Sequence, residues 1–216
     1  MKPDWASENL VAIRLLMERS AVYRRALAPV MGLVGATGLA AGAFGAARNF
    51  ESSRLFAAYW SGIALLCLAE AFLLIRQQAV KELEPFWSPP TRRIARAVAP
   101  AFFAGLVMGI LFFFVNTPKW EQVMLLVLIW MVLYGLAMHA AGFFMPRGFR
   151  LFGWGYIWAG LALLGYWTYY SMSHSQPVVV AAGSMFANAG MGVLFGGGHA
   201  AYGLYLSFTE KPGNGV

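Results

Sequence analysis

The sequence predicts an all-α integral membrane protein, with six transmembrane helices behind an N-terminal amphipathic cytoplasmic helix. Three observations carry the prediction. Of the 216 residues, 60% are hydrophobic and only 12% charged. Mean hydropathy is +0.61, well outside the balance of a soluble domain. Six apolar runs each reach the roughly 20 residues that a helix needs to cross the hydrocarbon core.

Taken in order, the chain begins with SENLVAIRLLMERSAVYRR, which reads as a helix. Ser7 or Asp4 can cap it, and Leu10, Ile13, Met17 and Ala21 recur at spacings of three and four. Such a helix serves either as a docking surface on the cytoplasmic leaflet or, the favoured reading, as a structural lead-in to the first span. The first apolar run starts only at Ala26, behind mixed charges. That is the wrong order for a cleavable signal peptide, so the N-terminus is expected to be retained.

The spans are expected at about 26–46, 55–75, 97–115, 123–144, 151–171 and 178–208, within a single membrane domain covering 1–216. In the first, Gly32, Gly35, Gly38, Gly42 and Gly45 leave one helix side almost bare. Small-residue stripes let neighbouring helices approach closely, so this face predicts tight packing inside the bundle, with homodimerisation as the weaker use. The 76–96 loop, RQQAVKELEPFWSPPTRRIAR, holds Pro85, Pro89 and Pro90 and cannot form one long helix. It is the largest extramembrane connection. The last segment is too long for an upright span and predicts one continuous, kinked helix around Gly196, Gly197 and Gly198.

Orientation follows from the basic residues, which concentrate on the cytoplasmic side of membrane proteins. Thirteen of the sixteen Lys and Arg fall in the N-terminal segment, the 76–96 loop, the 145–150 loop and the C-terminus. Only Arg48, Arg54 and Lys119 fall opposite. Both termini are therefore expected in the cytoplasm. Trp60, Trp120 and Trp167 near outer span ends, and Trp154 near an inner one, suit interfacial belts. The net charge of +7 lies beside apolar spans, where anionic lipid headgroups explain it better than nucleic acid. A bilayer, with bound lipid, is the expected partner. Cys67 is the single cysteine, so the chain has no CxxC motif or internal disulfide.

Three ionisable residues interrupt the spans: Glu70, His139 and His199. Charge at membrane depth is expensive and often marks a site. Glu70 and His139 each lie five residues before the cytoplasmic end of their expected span, roughly 8 Å at the helical rise, and His199 a little deeper. A shared layer is thus a sequence-level expectation. Two His and one carboxylate would suit a metal, and two His a haem, but no HExxH or CxxCH supports either. Proton relays use such residues too. In the sixth span Asn188, Gly192, Phe195 or Gly196, His199 and Gly203 recur at three or four, which places Asn188 and His199 on one narrow, partly polar face expected to point inward. No GxSxG, Walker A lysine or other catalytic arrangement appears, and the reading leans away from an enzyme.

Three segments, IRLLMERSAVYRRALAPVMGLVGATG, FWSPPTRRIARAVAPAFFAGLVMGILF and GGGHAAYGLYLSFTEK, together resemble a family of uncharacterised bacterial six-span inner-membrane proteins. Its members are often encoded beside a winged-helix transcriptional regulator. The resemblance implies the bacterial inner membrane and makes a sensing role thinkable. It aligns His199, Tyr202 and Gly203 with a terminal H-x-x-Y-G, and Met17, Glu18, Arg19 and Ser20 with a lead-in motif. A glutamate of the family's fifth span is missing from FGWGYIWAGLALLG, so a mechanism built on that acid does not transfer.

The functional expectation is a non-enzymatic membrane protein that binds or senses a small ligand or partner through a polar site. Its candidates are His199, Glu70, His139, Asn188 and Tyr202. The alternatives are an accessory subunit of a larger membrane complex, redox complexes included, a homo-oligomer, or a small proton-coupled transporter.

Overall fold

The computed structural model describes residues 5–48, 50, 52–83, 85–114, 120–145, 147–173 and 183–209, with side chains from Ala26 onward apart from a few at helix ends. Every regular element among them is helical: α1 (Trp5–Arg48), α2 (Ser53–Lys81), α3 (Pro89–Phe114), α4 (Trp120–Ala141), α5 (Arg147–Ser173), α6 (Gly183–Met191), a π-helical turn (Gly192–Gly197) and α7 (Gly198–Thr209). The stretches Ala26–Arg48, Arg54–Lys81, Thr91–Phe114 and Val123–Ala141 are long and apolar enough to cross a membrane.

Two boundaries depart from the sequence expectation. The lead-in helix is not a separate element, because α1 runs unbroken from Trp5 to Arg48. Residues 18–28 contain neither Gly nor Pro, and the interior Pro29 removes one hydrogen bond without ending the helix. Likewise the 76–96 loop shrinks to 82–88, since α2 continues to Lys81 and Pro89 opens α3. Proline suits a helix start, where its missing N–H has no partner to lose. The Ser88 carbonyl accepts from Arg92 N at 3.1 Å, and its hydroxyl meets Thr91 Oγ1 at 2.9 Å, tying down that first turn.

Leu83 closes the end of α2 with φ 54°, a left-handed conformation that crowds a branched side chain, and it is 94% exposed. Leu83→Gly is therefore expected to stabilise the protein by about 0.5–1 kcal/mol. A rise in the thermal midpoint of the detergent-solubilised protein checks this.

The helices pack in a closed order. α4 lies between α3 and α5, α1 lies between α2 and the run from α6 to α7, α2 contacts α3, and α6 also touches α4. The α1 glycine face is filled from within the chain. A side-chain carbon at Gly35 would meet the Ala200 backbone at 2.5 Å, one at Gly38 would meet Gly196 Cα at 2.7 Å, and one at Gly42 would collide with Gly192 Cα. At Gly45 the facing group is the Asn188 side chain, and Gly203 lies equally close to Gly32. The face is thus filled from Gly35 to Gly45, while a side-chain carbon at Gly32 itself would meet nothing within 4 Å. Gly135 and Gly153 create a similar approach between α4 and α5. In lipid, apolar burial supplies little force between helices, so close backbone packing of this kind matters more.

Two apolar clusters occupy opposite ends of the bundle. Leu27, Met31, Ala137, Met138, Ala141, Phe149 and Leu206 form one. Ala41, Phe56, Trp60, Val123, Val127, Ala187 and Met191 form the other. The π turn lies between them along the chain.

Candidate functional site

The segment GVLFGG at 192–197 forms a π turn, in which hydrogen bonds span five residues instead of four. It is entered from Met191 (φ −58°, ψ −47°) and left at Gly198 (φ −60°, ψ −43°), so helical backbone continues on both sides. The expected continuous final helix is present over 183–209. A widened turn, rather than a break, interrupts its regularity, and residues 178–182 lie outside the described residues.

Two side chains hold the turn. Tyr156 of α5 donates its hydroxyl to the Leu194 carbonyl at 2.6 Å. His199 Nδ1 lies 2.5 Å from the Phe195 carbonyl, and His199 Nε2 lies 2.5 Å from the Tyr134 hydroxyl of α4. A carbonyl can only accept, so Nδ1 carries the proton. A neutral ring then accepts from Tyr134 at Nε2. His199 is 5% exposed and enclosed by aromatic rings: Tyr134 at 5.2 Å between centroids, Phe152 at 5.6 Å and edge-on, Tyr156 at 6.3 Å. A Cβ at Gly198 would displace the Tyr156 hydroxyl that holds the Leu194 carbonyl.

This geometry revises the stripe expected on the final helix. Asn188, Gly192, Gly196 and Gly203 do face α1, but Ala200 takes the place expected for His199. The π turn adds a residue to one helical turn and so shifts the register by one position. His199 consequently reaches α4 and α5, while Asn188 reaches α1 and α2. Asn188 is fully buried. Its Oδ1 accepts from Trp60 Nε1 at 2.8 Å, and its Nδ2 donates to the Ser184 carbonyl at 2.8 Å. It is a cross-helix tie with its groups already engaged. Trp60, at 3% exposed, is a core residue here and not part of an interfacial belt; Trp154, 41% exposed, stays outward.

The ionisable trio is not gathered. Glu70 accepts at Oε1 from Thr37 Oγ1 of α1 at 2.8 Å. His139 packs its ring on Trp154 and Phe143, with a buried Nδ1 that meets no partner among the described residues. His199 has the separate neighbours given above. No group of three or more His, Cys, Asp or Glu side chains placed to hold a metal occurs among the described residues. Both His199 nitrogens are hydrogen-bonded, and His139 shares neither of their partners.

Tyr202 stacks on Phe152 at 4.6 Å with planes 23° apart. Together with Gly148, Leu151 and Tyr205 these two rings line an open cavity of about 240 Å³. That is smaller than the several hundred Å³ usual for drug-sized ligands. A few apolar heavy atoms, or one stretch of an acyl chain, match it.

Tyr134, Tyr156, Phe152 and Thr37 escaped the sequence reading. The two tyrosines left a signal, since a hydroxyl in the middle of an apolar helix needs a partner. Compared with known proteins, the chain matches no family model, no curated protein and no solved structure.

Proposed function

We propose that the chain is a non-enzymatic, six-span protein of the bacterial inner membrane, with both termini cytoplasmic, which binds a small apolar ligand and reports it through His199. Membership of the six-span family resembled by its sequence is part of the same proposal. α5 and the run from α6 to α7 are the fifth and sixth spans. Each is 27 residues long, about 40 Å at the helical rise, and the Trp and Tyr content of α5 lowers its hydropathy without shortening it.

Phe152 carries the ligand reading. It lines the open cavity and packs edge-on against His199, so an occupant that moves this ring moves the group holding the Phe195 carbonyl. π turns recur at functional sites, and glycines at 192, 196 and 197 leave few side chains to resist a change of register. Purification from native membranes followed by mass spectrometry of co-purifying small molecules tests this. Gly148→Leu places a side chain against the Tyr202 hydroxyl, 3.1 Å from the new Cβ, and fills the cavity. A molecule retained by the wild type and lost with Gly148→Leu is the expected result. Equal retention by both sinks the reading.

The second reading, an accessory subunit, rests on exposed faces. The apolar windows of α2 and α3 are each only 6% buried, against 39% and 44% for those of α1 and α4. Lipid covers such faces as readily as a partner does. Migration of the gently solubilised protein at monomer mass on a native gel counts against a complex.

A further inference from the structure

Glu70 lies inside α2, in the stretch long and apolar enough to cross a membrane, and takes no part in the His199 cluster. One carboxyl oxygen, Oε1, accepts from the Thr37 hydroxyl of α1. The other, Oε2, is shut off from solvent and meets no donor among the described residues. No cation pairs with the carboxyl there either. From α1 only the neutral Thr37 hydroxyl bonds to it. On α2, Arg76 lies almost two turns further on, and the basic residues of α3, Arg92, Arg93 and Arg96, fall in its first two turns. Cys67 lies one turn earlier on α2, and Tyr134 lies on α4.

An ionised carboxylate with one neutral hydrogen bond and one bare oxygen is the costliest form in which to hold this residue at membrane depth. A hard divalent cation would want several more oxygen ligands than one carboxyl and one hydroxyl provide. A proton needs none.

We propose that the Glu70 carboxyl is a proton-binding site of this protein. Oε1 is the carbonyl oxygen that accepts from Thr37, and Oε2 carries the bound proton. The site touches the rest of the molecule through α1. Thr37 is followed by Gly38, which seats Gly196 of the π turn, so gain or loss of the proton acts on the helix against which that turn rests.

Dicyclohexylcarbodiimide tests this on the full chain in native-lipid vesicles. The reagent is apolar and adds a protonated carboxyl across its C=N bond. The O-acyl product rearranges to a stable N-acylurea, and no group leaves. The expected result is an adduct on the peptide carrying Glu70 at neutral pH, its loss at alkaline pH, its absence in Glu70→Gln, and no protection by excess sodium. The infrared difference spectrum of the wild type minus Glu70→Gln should also show a carboxylic acid C=O stretch at neutral pH. For the wild type alone, that band should disappear in alkaline solution, which keeps the test independent of how well the variant folds. Protection by sodium overturns the proposal in favour of a metal cation. Absence of both the adduct and the acid band overturns it in favour of a carboxylate.

Discussion

Gly42→Val is expected to prevent assembly of the bundle. The valine Cβ would collide with the Gly192 Cα, and would lie 2.9 Å from Gly192 N and 3.1 Å from the Asn188 carbonyl. All three are main-chain atoms, so no rotamer change relieves the contact. The final helix must move away from α1, and with it the pairings of Gly38 with Gly196 and Gly45 with Asn188. A cost above about 4 kcal/mol follows, at the severe end for single substitutions. Loss of the monodisperse peak in detergent size-exclusion chromatography, with no cooperative thermal transition, checks it. Gly62→Ala is the control. Its Cβ meets nothing within 4 Å, and a helical Gly→Ala change there should stabilise by about 0.5–1 kcal/mol. Equal tolerance of both substitutions would refute the close-packed interface.

The second large effect is expected at the buried tie between α2 and α6. Asn188→Ala removes the acceptor of Trp60 Nε1 and leaves that N–H unpaired where Trp60 is only 3% exposed. Hydrogen bonds between membrane helices are individually modest, averaging about 0.6 kcal/mol in measured cases. Desolvation of the orphaned donor dominates instead and brings the expected loss to about 2 kcal/mol. Trp60→Phe orphans the Asn188 Oδ1 in the same way. The double variant should therefore cost less than the two single costs added, by about 1 kcal/mol. Thermal midpoints of the four proteins decide the matter, and strict additivity would show that the pair does not act as a unit.

Much of the architecture was legible locally. Hydropathy and length identified the long apolar helices, because the cost of exposing backbone to lipid is set within each segment. The α1 glycine spacing announced a close helix contact, and that contact exists inside the chain. Continuity of the last helix was legible too. The loop over 76–96 and the separate lead-in helix were not. Prolines and charges there signal chain breaks in general, yet Pro89 falls where a helix can start, and nothing between Arg19 and Ala28 stops α1.

The candidate site was legible only in part. His199 is distinguished in the sequence as a polar residue among glycines on an apolar helix, and it is the hub of the observed hydrogen bonds. Its partners were not readable, since Tyr134 and Phe152 lie 65 and 47 positions away and pair with it only because α4 and α5 are drawn together at Gly135 and Gly153. Glu70, His139 and His199 share no partner among the described residues for a related reason: depth along three helices says nothing about which way each helix is turned.

By itself, then, the sequence determined that this protein is helical, where its long apolar helices lie, and which residues are too polar for their surroundings. These follow from the free energy of each segment with its own solvent. The tertiary structure alone decided that His199 turns toward α4 and α5 while Asn188 turns toward α1 and α2. That choice depends on the π turn, whose wide spiral lets Gly192 and Gly196 lie against Gly42 and Gly38 some 150 positions away. Contacts between such distant backbones select the register, and no local pattern contains them.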